Sequence, residues 1–126
     1  MNKRKILIVD DEKGFSEMVK LNLESTNKYI VKIEVDSSNA LCAARKYLPD
    51  LILLDVIMAK MEGPDVASAI KRDPTLKDIP TVFLTATVTE KEVDEGNGMI
   101  GGHPFVAKPS SLETLLDAID KNMTAV

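Results

Sequence analysis

Apolar residues in this chain fall into two alternating kinds of segment. The first kind is short and uninterrupted: Ile6-Leu7-Ile8-Val9, Leu51-Ile52-Leu53-Leu54, Thr81-Val82-Phe83-Leu84 and Phe105-Val106-Ala107. Runs of this length, rich in branched side chains and without polar alternation, predict strands buried on both faces of a parallel sheet. Tyr29 to Val35 alternates loosely and predicts a strand nearer an edge. The second kind has helical spacing. Phe15, Met18, Val19 and Leu23 form a stripe within Gly14 to Ser25, and Leu41, Ala44 and Leu48 another within Asn39 to Leu48, which Pro49 stops. Gly63 to Asp73 predicts a third helix, closed by Pro74. In the last, Ser110-Ser111-Leu112-Glu113 reads as a capping box before Leu112, Leu115, Leu116, Ile119 and Met123 on one face.

Between the fourth and fifth strands the signals conflict. Thr89-Glu90-Lys91-Glu92 has the form of a capping box, so a fourth helix should begin there. Gly96, Gly98, Gly101 and Gly102 follow it, and each glycine inside a helix costs about 1 kcal/mol relative to alanine. The expectation is a frayed or shortened helix.

Repeated strand–helix units with short connections imply a parallel sheet with helices on both faces and right-handed crossovers. The predicted architecture is a flavodoxin-like (βα)5 three-layer sandwich whose five parallel strands run in the order 2-1-3-4-5. That order sets strands one and three side by side, and it is the arrangement in which the polar strand ends meet. Ligand crevices in such sheets lie beyond the carboxyl ends of the strands. There the sequence has Asp10-Asp11, Asp55, Thr85 and Lys108.

With 126 residues, the whole chain reads as one domain able to bury about two-thirds of its unfolded surface without staples. A 44% hydrophobic and 29% charged composition is that of a soluble globular protein, and no apolar stretch is long enough to span a membrane. The N-terminus leads straight into a strand followed by acids, so no signal peptide is expected. A single cysteine, Cys42, excludes an internal disulfide and agrees with a reducing cytoplasm. The net charge of −4 argues against a nucleic-acid surface, and Lys3-Arg4-Lys5 reads as a solvated lead-in.

Three carboxylates brought within a few ångströms either raise a pKa or capture a cation. Ligation by aspartate oxygens alone suits a hard ion, Mg²⁺ first, which keeps open positions for phosphate oxygens. Lys108 adds a compact positive charge and Thr85 a hydroxyl. Asp55, at the end of the central strand, is placed to act as a nucleophile and form an acyl phosphate.

The residues that carry this chemistry also match a family. Val9-Asp10-Asp11-Glu12, Asp55-Val56-Ile57-Met58 with the later Gly63, Thr85-Ala86 and Phe105-Val106-Ala107-Lys108-Pro109 occur in order at the predicted strand ends. On these motifs the chain resembles, over essentially its whole length, the receiver domain of bacterial two-component response regulators. The resemblance implies a phosphoprotein: Asp55 is the phosphoacceptor, loaded from a phosphohistidine on a sensor histidine kinase or a histidine phosphotransfer protein. It implies that Asp11, Asp55 and the backbone carbonyl of Ile57 hold Mg²⁺, with Asp10 helping through water. Thr85 and Lys108 contact the phosphoryl oxygens, and small Ala86 leaves room for them. Phe105 stands at the position of an aromatic switch coupled to Thr85, and the Lys108-Pro109 bond is expected to be cis. Phosphorylation would then alter the surface formed by helix four, strand five and helix five for an output protein that the sequence does not name. The sequence carries no effector domain after the last helix, so the signal is expected to leave through a noncovalent partner unless the chain is a fragment of a longer protein.

The match has departures. Ala59 stands where the family usually has proline, and the glycine-rich segment Gly96 to Gly102 falls in the family's fourth helix. Neither Ile57 nor Thr87 carries an acid or amide to orient an attacking water, so a comparatively long-lived acyl phosphate is expected.

Blander readings stand beside these. Asp10-Asp11 can be acids at a helix start, Thr85 a strand residue, Lys108 a surface lysine, and Phe105 a structural aromatic rather than a moving switch. Gly96-Asn97-Gly98-Met99-Ile100-Gly101 fits the G-x-G-x-x-G dinucleotide pattern but leads into a strand instead of opening a helix, so it is a decoy. His103 reads as a loop residue, Cys42 as a packing residue of the second helix, and Met58, Met61 and Met99 as packing or loop residues. Two rival functions remain: a receiver-like interaction module that works unphosphorylated, and a Mg²⁺-dependent aspartyl phosphohydrolase. The second needs another acid two residues after its nucleophile, and that position is Ile57. The chain reads as a regulatory domain catalysing only its own phosphorylation and dephosphorylation.

Overall fold

A computed structural model describes residues 3–86, 99–100, 103–108 and 111–123. The strands are β1 (Arg4–Val9), β2 (Tyr29–Glu34), β3 (Leu51–Asp55), β4 (Thr81–Thr85), β5 (Met99–Ile100) and β6 (His103–Ala107). The described helices are α1 (Lys13–Glu24), α2 (Ala40–Tyr47), α3 (Gly63–Arg72) and a C-terminal helix (Leu112–Asn122). The sheet order is β2-β1-β3-β4-β6-β5. Its first five members are parallel, in the predicted 2-1-3-4-5 order, and β5 adds an antiparallel edge against β6.

The continuous apolar runs follow from this burial. Along β1 and β3, Ile6, Ile8, Leu51 and Leu53 face one layer, with Val19 and Leu23 of α1 and Leu115 and Ile119 of the C-terminal helix. Leu7, Val9, Ile52 and Leu54 face the other, with Ala40, Ala43 and Ala44 of α2 and Val66 and Ile70 of α3. Positions 6–9 and 51–54 of these central strands are therefore all core positions, each large aliphatic contributing about 1.5–3 kcal/mol. Among the described residues no helix is long and apolar enough to cross a membrane.

Local chemistry sets the ends. Leu48 closes α2 in the left-handed conformation at φ 50°, its N–H bonding the Ala44 carbonyl at 2.8 Å. Pro64 enters the first turn of α3, where its missing N–H costs nothing. The C-terminal helix is capped by Ser111, whose Oγ accepts the Thr114 N–H at 3.1 Å, one residue later than the expected box starting at Ser110.

Four other expectations are corrected. In α1 the buried face carries Ser16, whose hydroxyl donates to the Glu12 carbonyl, while Met18 is exposed. Cys42 lies on the solvent side of α2, because its neighbours Ala43 and Ala44 occupy the sheet-facing positions. His103 is not in a loop: it opens β6, opposite Ile100. Met99–Ile100, within the glycine-rich segment assigned to a fourth helix, forms a strand, since backbone pairing with His103 and Pro104 is available there and glycines oppose a helix. The capping box at Thr89, the glycines of that segment, Thr87 and the Lys108-Pro109 bond lie outside the described residues.

Candidate functional site

Strand register brings the polar ends to one level. Val9 is opposite Leu54 and Asp55 opposite Leu84, so Asp10 and Asp55 project from adjacent strand ends. Thr85 is opposite Ala107, and the Lys108 N–H donates to the Thr85 carbonyl at 2.9 Å, bringing the fourth and fifth parallel strands to the same rim. Asp10, Asp55, Thr85 and Lys108 are buried, at 0%, 5%, 1% and 8% exposure, whereas Asp11 is exposed. One carboxylate oxygen from each of Asp10, Asp11 and Asp55 lies within 4.8 Å of the others.

Lys108 is the counter-charge. Its Nζ is 2.7 Å from Glu12 Oε1, 2.9 Å from Asp10 Oδ2 and 3.5 Å from Asp55 Oδ2, and it rests over the Phe15 ring 4.6 Å from the centroid. Glu12 stands in the sequence motif, but its contact with Lys108 spans 96 residues and no local pattern signals it. Burial opposes the ammonium charge, yet the Glu12 and Asp10 carboxylates outweigh it and raise the Lys108 pKa above the ordinary lysine value. Asp55 is pushed from its ordinary 3.8 up to about 6, first by burial and then by the Asp10 charge. Lys108 and the Ile57 N–H pull the other way without cancelling this.

The donor set is suited to a hard divalent cation. All three clustered side chains offer oxygen, two of them from buried positions. Asp10 Oδ2 is fully buried, and the group against it is the Lys108 ammonium at 2.9 Å. Among the described residues that one ammonium serves Asp10, Glu12 and Asp55, with Asp11 beside them, so the cluster keeps an excess of negative charge that a divalent cation would offset. Asp11 is held from the side: its Oδ2 accepts the Ala59 N–H at 3.0 Å.

The remaining candidates surround this cluster. Ala86 follows Thr85 at the rim and is exposed. Ile57 lies in the loop after β3 and is 58% exposed, its N–H close enough to the Asp55 carboxylate to favour the charged form. Phe105 is half-buried and packs on Phe83, ring centroids 5.1 Å apart at 31°. Gly63 starts α3 hard against the loaded strand end. Its N–H donates to the Val56 carbonyl at 2.8 Å, and a Cβ there would overlap the Asp55 carbonyl oxygen and lie 2.9 Å from Val56 Cα.

Comparison with known proteins gives the family and the fold. The sequence matches the family profile of the response regulator receiver domain over residues 6–120. It is 35% identical over 119 residues to the nisin biosynthesis regulatory protein NisR of Lactococcus lactis subsp. lactis, covering 94% of this chain and 50% of that protein. It is 37% identical over 106 residues to the response regulator PleD of Caulobacter vibrioides, covering 83% of this chain and 23% of that protein. The chain thus spans half or less of the length of these curated relatives. Among solved structures, the Vibrio cholerae chemotaxis protein CheY4 superposes with a TM-score of 0.81 at 30% identity, over 97% of this chain and 100% of that one.

Proposed function

Since the chain belongs to the response regulator receiver domain family, we propose that it is a phosphoryl-accepting switch of a two-component or phosphorelay system with Asp55 as acceptor. The observation that carries this reading is the environment of Asp55: a buried carboxylate at the end of the central strand, beside two further aspartates and within reach of one ammonium.

In this reading an Asp55 oxygen attacks the phosphorus of a phosphohistidine on a sensor histidine kinase or histidine phosphotransfer protein. The P–N bond breaks as the P–O bond forms, and the imidazole nitrogen keeps the electron pair and takes a proton from solvent. Asp10, Asp11, Asp55 and the Ile57 carbonyl would hold Mg²⁺, which when bound neutralises charge on the phosphoryl oxygens. Lys108 leaves the Glu12 and Asp10 carboxylates for the newly added oxygens, and Thr85, with Ala86 beside it leaving space, donates its hydroxyl to them. Movement of Thr85 passes to Phe105, which already contacts Phe83 of the same strand. The surface carried by β6 and the C-terminal helix, together with the helix expected after Thr89, then changes for an output partner. To switch usefully the phosphoryl group must favour the active state by about 1–3 kcal/mol or more.

The decisive test is incubation with Mg²⁺ and acetyl phosphate or phosphoramidate, followed by intact mass. One added phosphoryl, absent from Asp55→Asn, supports the switch. No addition, or addition that survives in that variant, overturns it, while continuing turnover of a generic phosphate ester points to a hydrolase. With no acid or amide at Ile57 or Thr87, the labelled protein should persist for well over seconds after the donor is removed.

A further inference from the structure

The loop that follows Asp55 is seated in the core at its middle, where Met58 is buried and Val56 and Met61 pack partly against the same cluster. From Val56 to Glu62 it contains neither proline nor glycine, and at Ala59 and Lys60 its side chains face solvent. Three consecutive residues are nevertheless tied to the neighbouring strand ends. The Ala59 N–H donates to Asp11 Oδ2 at 3.0 Å, Lys60 Nζ pairs with Asp36 Oδ2 at 3.1 Å, and the Met61 N–H donates to Ser37 Oγ at 2.8 Å. Two of these anchors are exposed or partly exposed and therefore screened by water. The third is interior: Ser37 is 3% exposed. Loss of its hydroxyl leaves a part-buried N–H without its partner, the costly kind of loss.

Ser37 is itself fixed. It opens a short 3₁₀ turn, Ser37–Asn39, capped by Asp36, whose Oδ1 accepts the Ser38 N–H at 3.0 Å. The Asp36 N–H donates to Glu34 Oε2 at 3.0 Å, and Asn39 Nδ2 to Glu34 Oε1 at 2.7 Å, so the turn is bound back to the end of β2. Beside it lies a hollow of about 130 Å³ bounded by Asp11, Asp36, Ser37, Ala59 and Lys60. Met58 seats the middle of the loop in the core, and on this hollow side the polar contacts fix residues 59 to 61.

We infer that Ser37 is a positioning residue for phosphoryl transfer: through the Met61 N–H it holds the loop whose Ala59 N–H orients Asp11 beside Asp55. The inference rests on the switch reading of Asp55. It touches none of the reacting groups, so its signature is kinetic and local. With Ser37→Ala, the rate of labelling by phosphoramidate should fall about three- to tenfold, the span of one net hydrogen bond. The Mg²⁺ concentration for half-maximal labelling should rise. Ser37→Thr, whose extra methyl has the hollow to enter, should restore both. Amide hydrogen exchange at Met61 and Ala59, followed by NMR without any phosphodonor, should accelerate in Ser37→Ala and not in Ser37→Thr.

Wild-type labelling kinetics and Mg²⁺ dependence in a Ser37→Ala protein with a native spectrum would overturn the proposal. So would unchanged exchange at Met61. If Ser37→Ala does not fold, Ser37→Gly and Ser37→Cys are read in the same two assays, and normal rates in either have the same consequence. If the wild type itself takes no label, the switch reading falls, and the exchange data alone decide whether Ser37 holds the loop.

Discussion

Removing the acceptor charge should make the metal-free protein more stable, although Asp55 is central to the proposed chemistry. A carboxyl raised from 3.8 to about 6 holds its proton more than a hundredfold more tightly when folded, and each tenfold is about 1.4 kcal/mol. Ionised Asp55 therefore costs the folded state up to about 3 kcal/mol. The sign follows from where the proton sits. Between pH 4 and 6 the folded chain keeps a proton that the unfolded chain has released, so stability from this group falls as pH rises through that window. Above pH 6 the full cost is present; below pH 4 little of it is. That cost is already net of the attraction to Lys108; Asp55→Asn removes it but leaves a buried amide to be desolvated, so the net gain at pH 7.5 should be about 1–2 kcal/mol. Urea denaturation in EDTA at pH 4, 5, 6 and 7.5 measures it. A variant no more stable than wild type at pH 7.5, or a gain that is the same at pH 4, would refute the reasoning. Adding Mg²⁺ should narrow or reverse the gap, because a ligand that binds only the folded wild type stabilises it alone.

Gly63→Ala places a methyl against the Asp55 carbonyl and Val56 Cα, backbone atoms that cannot step aside, so it should cost about 2 kcal/mol or more in a thermal melt and slow labelling as well. Leu48→Gly relieves an exposed left-handed residue at φ 50° and should raise stability by about 0.5–1 kcal/mol in the same assay; a loss would show that the Leu48 side chain contributes more than its exposure suggests. Glu12→Gln removes the carboxylate nearest Lys108 and frees the ammonium to move toward Asp55. Labelling by a small phosphodonor should quicken a few-fold, while stability changes by less than about 1 kcal/mol because Glu12 is exposed. Unchanged or slower labelling would show that Glu12 positions Lys108 rather than diverting it.

Much of this was legible before the fold was seen. Residues 51–54 are apolar without interruption because both faces of β3 are covered, and a fully buried strand carries that signature in its own sequence. Asp10, Asp11, Asp55 and Lys108 could be grouped because each directly follows or ends such a run, and one strand order makes the ends meet. Met18 was misread because spacing identifies a helix but not which of its two flanks the sheet will cover; Ser16 took the buried place by bonding the Glu12 carbonyl. His103 and Met99–Ile100 were misread because a two-residue antiparallel pair leaves no periodicity to detect.

Sequence by itself determined the alternation of strands and helices and which polar groups stand at the strand ends. These are written in spacings of two to four residues, or in the residue type at a strand end. Tertiary structure alone decided that Lys108 leans on Glu12, 96 residues away, that Ser37 carries the Met61 N–H, 24 residues away, and that burial among acids lifts Asp55 to about 6. Such relations depend on strand register and on how much water folding removes, and neither is a property of any short stretch of chain.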